Sequence, residues 1–215
     1  MSADDGNDSA EVEREDLSPY FVTVDDFEQP IDWKHYFDND NPIELDIGCG
    51  RGLFLVNAAE RKPDTNFLGM ELDYKEGRRA ARRLKKRQFA NARIVGGDCR
   101  RMLQRFIMPS SVAAAHVYFP DPWWKRRHLR RRLFTDEFAE LLARVVRPEG
   151  LVHSWTDVEQ YFGVITALMD RHAKFRTLPP PAEREPRHDL DYQTSFERKK
   201  RQLGSQIWRG LWQRC

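Results

Sequence analysis

Between residues 43 and 172 short apolar strands alternate with one-sided helices, and this alternation constrains the fold more than any other feature of the chain. The apolar spacing predicts strands over 43–47, 66–71, 92–95, 112–119 and 151–155. Helices follow over 53–59, 74–89, 100–107, 135–146 and 158–172. Such an order implies an α/β fold, with a mostly parallel sheet covered by helices on both faces and ligands beyond the carboxyl ends of the strands. Asp46, Glu71, Asp98, Asp121 and Asp157 all fall at or just after a strand's C-terminal end. The pattern loosens after Phe175 through a proline-rich, charged loop, then resumes with a short helix from Thr194 and a last strand around 207–212. With 215 residues the chain is expected to form one domain, over 19–215, behind an acidic tail, 1–18.

The first strand runs into Asp46-Ile47-Gly48-Cys49-Gly50-Arg51-Gly52 and then a helix. Gly48 and Gly50 allow a tight turn and close approach of backbone to a ligand. A dinucleotide site would want glycine where this chain has Leu53, so the spacing favours a mononucleoside over NAD. Glu71 ends the second strand a little over 20 residues beyond the glycines, where an acid can accept from both ribose hydroxyls. Asp98, after the third strand, can accept from an adenine amino group. With no P-loop lysine, the set looks like the S-adenosylmethionine site of Rossmann-like methyltransferases.

The fourth strand ends in Phe119-Pro120-Asp121-Pro122-Trp123-Trp124-Lys125, an acid between two prolines followed by two indoles. Six Lys/Arg occupy residues 125–132, placing guanidinium groups beside a carboxylate and stackable rings, as gripping a nucleotide requires. One of Trp123 and Trp124 is expected to be structural, and Tyr118 and Phe119 read as core. The net charge of +2 hides a division: residues 1–46 carry 15 acids against 2 Lys/Arg, and residues 47–215 carry 19 against 34. A body this basic suits a phosphate-binding surface. The helix over 74–89, with eight Lys/Arg and few acids, leans toward RNA. The acidic start is too poor in apolar residues to order itself and could mask the basic face. No apolar stretch approaches a membrane span and no secretory signal opens the chain, so a cytoplasmic location is expected. Cys49, Cys99 and Cys215 lack the spacing of a disulfide framework or zinc site, and no metal is expected.

The string from Phe119 to Lys125, followed by Arg127-His128 and Arg130 to Arg132, resembles the bacterial tRNA (guanine-N7)-methyltransferases. Thr156-Asp157 matches that family's Thr-Asp pair. Thr194-Ser195-Phe196-Glu197, with Gly204, resembles its Thr-Lys-Phe-Glu segment, Ser195 departing from the usual Lys. The resemblance covers roughly residues 40–215. It implies a Rossmann-like class I methyltransferase with a seven-stranded sheet, transferring methyl from S-adenosylmethionine to N7 of a guanine in the variable loop of tRNA, with S-adenosylhomocysteine as product. It further implies that Asp46, Gly48, Gly50, Glu71 and Asp98 hold the cofactor and that Asp121 lies at the catalytic junction. Lys125, Asp157, Thr194, Ser195, Phe196 and Glu197 would contact the substrate, and Arg127, His128, Arg130, Arg131 and Arg132 the RNA. No obligate protein partner is implied. The alternatives are an amino-group methyltransferase acting on a DNA or RNA base, a non-catalytic RNA-binding relative, and an aminopropyl transferase.

Overall fold

The computed structural model describes residues 15–180 and 194–215. In chain order its elements are β1 (Phe21–Thr23), α1 (Trp33–Phe37), β2 (Ile43–Ile47), α2 (Leu53–Arg61), β3 (Asn66–Glu71), α3 (Tyr74–Arg87), β4 (Ala92–Gly96) and α4 (Cys99–Arg105). There follow β5 (Val112–Tyr118), α5 (Asp136–Val145), β6 (Val146–Thr156), α6 (Glu159–Asp170), β7 (Phe175–Leu178), α7 (Ser195–Gln202) and β8 (Trp208–Arg214). The sheet order is β1-β4-β3-β2-β5-β6-β8-β7, parallel from β1 through β6, with β8 antiparallel to both its neighbours.

The described sheet has eight strands, one more than expected. The edge strand β1 spans three residues and pairs with β4. It is too short to show alternation in sequence, and it lies in a stretch read mainly for its acids. β7 was likewise unread, because only Phe175 of its four residues is buried.

Every residue of β2 is buried, which suits a central parallel strand covered on both sides. Its Ile43, Leu45 and Ile47 face the larger core, built with α4, α5 and α6. The other face carries Glu44 and Asp46 and lies under α2. A second core packs α2 against α3 through Phe54, Leu55, Ala80, Ala81 and Leu84. Small residues let α3 lie close to the sheet, while Asp73 caps its start by accepting from the backbone N–H groups of Lys75 and Glu76.

Residues 15–18, grouped with the acidic tail in sequence, belong to this body. Leu17 is 2% exposed within the second core, and Glu15 lies 2.8 Å from Arg82 of α3. The remainder of that tail, residues 1–14, lies outside the described residues. The inference that few acids offset α3 is corrected as well: Arg79 pairs with Glu76, Arg82 with Glu15 and Arg87 with Glu60. Glu15 and Glu60, distant in sequence, were invisible to a local count, whereas Glu76 lies within the helix. Among the described residues, no helix is long and apolar enough to cross a membrane.

The third glycine of the turn, Gly52, joins these layers. Its φ is +71°, and a Cβ there would stand 2.7 Å from Ala80 Cβ on α3. A helix-borne methyl cannot swing aside, so Gly52→Ala should cost roughly 2–4 kcal/mol through overpacking and left-handed strain. Thermal or urea denaturation of the variant would measure this; wild-type stability would show that α3 yields.

Candidate active site

The glycine turn leaves the C-terminal end of β2 where the sheet order reverses, since β2 is followed in sequence by β3 on one side and flanked by β5 on the other. That reversal opens a crevice. Gly48 and Cys49 donate their N–H groups to the Met70 carbonyl at 2.9 and 3.1 Å, fixing the turn against β3. Gly48 has φ +81° and Gly50 φ +52°, and a Cβ on either would meet nothing within 4 Å. These two glycines therefore leave the cleft-facing backbone bare, whereas Gly52 packs.

Asp46 is 2% exposed, and its Oδ2 has no hydrogen-bond partner in the protein. Burial, reinforced by the charge of Glu71, pushes its carboxyl up to about 8. Glu71 stands behind the turn: Oε2 accepts from Gly50 N–H at 2.8 Å and Oε1 from Asp73 N–H at 2.9 Å. It braces the loop whose ligand it was expected to contact. Asp98 is exposed and caps α4 by accepting from Arg100 N–H.

A cleft of about 680 Å³ runs from this turn to the end of β5 and on to α7. Of the residues expected at a site, Asp46, Gly48, Gly50, Asp121, Asp157, Thr194 and Phe196 line it together. Tyr118 and Phe119, read from sequence as core, line it too, as do Lys199 and Lys200, which lay unremarked in a charged run. Lys200 Nζ is 2.7 Å from Asp157 Oδ2 and lies over the Phe196 ring, whose other contact is Phe119 at 5.0 Å. The Thr194-to-Glu197 segment also begins a helix: Thr194 Oγ1 accepts from Glu197 N–H at 2.9 Å. Glu197 is 4% exposed and paired with Arg201 at 2.8 Å. Ser195 is the first residue of α7.

Asp121 is exposed at the cleft mouth, between two backbone irregularities. Phe119 has φ +53° and Trp123 φ +40°, conformations costly for bulky residues that persist only where the surroundings enforce them. Arg132 braces the Pro122-to-Trp124 part of this loop. Its guanidinium lies over the rings of Trp124 (5.1 Å) and Tyr161 (5.2 Å), while Nε donates to the Pro122 carbonyl at 2.7 Å. Arg100 in turn donates to the carbonyls of Arg132 and Leu133. Within the basic run, Arg132 is thus a brace, and His128 packs edge-on against Trp123, with Arg131 over the same indole. Lys125, Arg127 and Arg130 are exposed. Among the described residues, none of Lys125, Arg126, Arg127, Arg130 and Arg131 forms an ion pair with an acid, in contrast to α3.

Comparison with known proteins gives the family and the fold. A family model described as "Putative methyltransferase" matches residues 40–210. A tRNA (guanine-N(7)-)-methyltransferase of Rhodopirellula baltica is 38% identical over 200 residues, covering 90% of this chain and 74% of that protein. Its counterpart in Aliivibrio salmonicida is 34% identical over 185 residues, 86% of this chain and 78% of that one. Among solved structures, a SAM dependent methyltransferase from Aquifex aeolicus shares the fold, with a TM-score of 0.56 at 11% identity over 81% of this chain and 82% of that one.

The state of Asp46 generates a stability test. An Asp in an unfolded chain titrates near 3.9, while the folded value stands at about 8, so the folded form holds the extra proton between them. Stability contributed by the protonated acid is complete below about pH 4 and is lost as pH rises toward about 8. Asp46→Asn should therefore be more stable than wild type at pH 8, by ~1 kcal/mol or more and ~2–4 °C per kcal/mol, with the difference vanishing in acid. Thermal scans of both cofactor-free proteins from pH 4 to 9 would test this, and a difference independent of pH would refute it.

Proposed function

The chain belongs to the tRNA (guanine-N7)-methyltransferase family, and from that premise we propose that it transfers a methyl group from S-adenosylmethionine to N7 of a guanine in the variable loop of tRNA, in the cytoplasm. The observation that carries this reading is the meeting, in one cleft, of a bare glycine turn, an unpartnered buried acid and the exposed Asp121, which cations without an acid partner follow in the chain.

The turn fits the cofactor on chemical grounds. A buried carboxyl oxygen without a protein partner is suited to a cationic ligand, which would return Asp46 to its ionised form. Glu71, with both oxygens already engaged by backbone N–H groups, keeps lone pairs for ribose hydroxyls. Asp98 uses one oxygen at the α4 cap and leaves the other for the adenine. When bound, S-adenosylmethionine supplies a methyl group on a cationic sulfur.

Guanine N7 carries an in-plane lone pair, so the attacking atom loses no proton and the protein needs no general base. Its task is to align N7 with the methyl carbon and exclude water. Asp121 can accept from guanine N1–H and N2–H, favouring guanine over adenine and stabilising the positive charge that develops on the ring. Thr194, Phe196 and Glu197 contact the substrate from α7, with Ser195 beside them. Asp157 joins them on exchanging its partner Lys200 for the nucleotide. Lys125, Arg127, His128, Arg130 and Arg131 bind the RNA backbone, while Arg132 holds the loop on which Asp121 stands.

Incubation with unmodified tRNA and methyl-labelled S-adenosylmethionine, followed by digestion and mass spectrometry, should place the label in 7-methylguanosine; label on an adenine or cytosine amino group would replace this reading. Asp121→Ala should lower turnover about tenfold to a few hundredfold, the value of one or more charge-assisted hydrogen bonds. Turnover near wild type would remove Asp121 from the site. Arg127→Ala should reduce the salt slope of tRNA binding by about one without changing stability. Arg132→Ala should instead lower thermal stability and turnover together; an effect on RNA affinity alone would contradict its bracing role.

A further inference from the structure

On the sheet face beneath α2, a line of polar side chains crosses β2 and β5 that the reaction above does not use. Lys62 Nζ lies 2.8 Å from Glu44 Oε1, His116 Nε2 lies 2.8 Å from Glu44 Oε2, and His116 Nδ1 lies 2.9 Å from the Tyr118 hydroxyl. Glu44 is 9% and His116 5% exposed. Phe54 packs on the imidazole at 4.5 Å and meets the Tyr118 ring edge-on at 5.1 Å, while His153 stacks on the imidazole at 4.8 Å. The imidazole is held on both sides.

This order fixes the direction of every hydrogen bond. Against the effect of burial, the hydrogen bond from His116 and the Lys62 ammonium hold Glu44 below the usual carboxylate range, so it is an ionised acceptor. Burial keeps His116 below its ordinary range despite Glu44, so the ring is neutral and its single N–H, on Nε2, faces the carboxylate. Nδ1 is then a bare acceptor, and the Tyr118 hydroxyl must donate to it. The tyrosine oxygen is left with lone pairs alone. Asp46 and His116 are register partners on one face of the sheet, Tyr118 follows on that face, and both Asp46 and Tyr118 line the cleft.

We propose that the Glu44–His116 pair makes Tyr118 an acceptor-only wall of the cofactor cleft, and that its hydroxyl oxygen favours the cationic methyl donor over the neutral thioether left after transfer. The inference rests on the cofactor reading above. Tyr118 contacts the ligand, and His116 and Glu44 are positioning residues acting through it. The positive charge of a sulfonium is spread over its attached CH groups, which lone pairs attract as weak hydrogen bonds. The thioether product lacks that charge, so the wall would lose its hold once the methyl has left and product release would be eased.

Calorimetric titration with S-adenosylmethionine and S-adenosylhomocysteine, on wild type and Tyr118→Phe, tests the proposal. Removing the oxygen should reduce the ratio of the two affinities about two- to fivefold through loss of donor affinity, with product affinity little changed. A merely structural hydroxyl would weaken both ligands equally, and an unmoved ratio overturns the proposal. Ring-nitrogen chemical shifts of His116 in the wild-type protein give a readout free of any variant: a protonated Nε2 and bare Nδ1 are expected, and the opposite tautomer overturns the assignment. Binding of both ligands with an unmoved ratio refutes this inference alone, whereas wild-type protein that binds neither refutes the cofactor reading and this inference with it.

Discussion

The carboxyl of Asp46 is buried at the end of a buried strand, faces the charge of Glu71, and has an oxygen that no protein group satisfies. An arrangement of this kind opposes folding, and it persists because the surroundings leave the side chain no exit. β2 is fixed by parallel partners on both sides, and the glycine turn is tied to Met70 and Glu71. The rest of the site is arranged around this point. The cleft begins where the turn leaves the sheet, and the loops after β5 and β6 reach the same cleft. On the proposed reading a cationic nucleoside relieves this cost, which would link cofactor binding to folding through Asp46.

The loop bearing Asp121 is constrained differently. Two bulky residues with positive φ flank it, and an arginine lying over Trp124 and Tyr161 holds the Pro122 carbonyl. Arg100, in the first turn of α4, holds the carbonyl of that arginine, and Asp98 caps the same helix. The loops after β4 and β5 are therefore joined through one helix terminus. Phe119 makes the second connection, reaching Phe196 on α7. Displacing α7 would bear directly on Phe119, where the loop carrying Asp121 begins.

Much of this could be read from the sequence wherever the physics is local. An apolar run, a glycine turn and an amphipathic helix specify β2, the loop and α2 from adjacent residues. The cluster of Asp46, Asp121 and Asp157 followed from the rule that parallel strands present their ends together. What escaped depends on contacts between distant segments. Tyr118 read as core because the apolar character of its strand says that it is covered, but not that a cleft covers it. Arg132 and Arg130 are alike in sequence, and only Pro122, Trp124 and Tyr161 separate them. That Glu71 also braces Gly50 was concealed by the 21-residue separation between them. β1 spans too few residues to carry a period, and Lys200 acquires a role only through Asp157.

The division of charge along the chain follows from the same distinction. Several acids of the first segment fold back onto the basic body: Glu15 onto Arg82, Asp25 onto Arg101 and Glu44 onto Lys62. Most of these pairs are exposed and add little stability singly, yet each withdraws a cation from the field a polyanion would meet. The arginines beside Asp121 have not been withdrawn in this way. A polyanion approaching within a Debye length, ~8–10 Å at ordinary ionic strength, therefore meets uncompensated cations in the segment that follows Asp121. On the proposed reading this would draw the RNA toward Asp121, although the chain as a whole is nearly neutral.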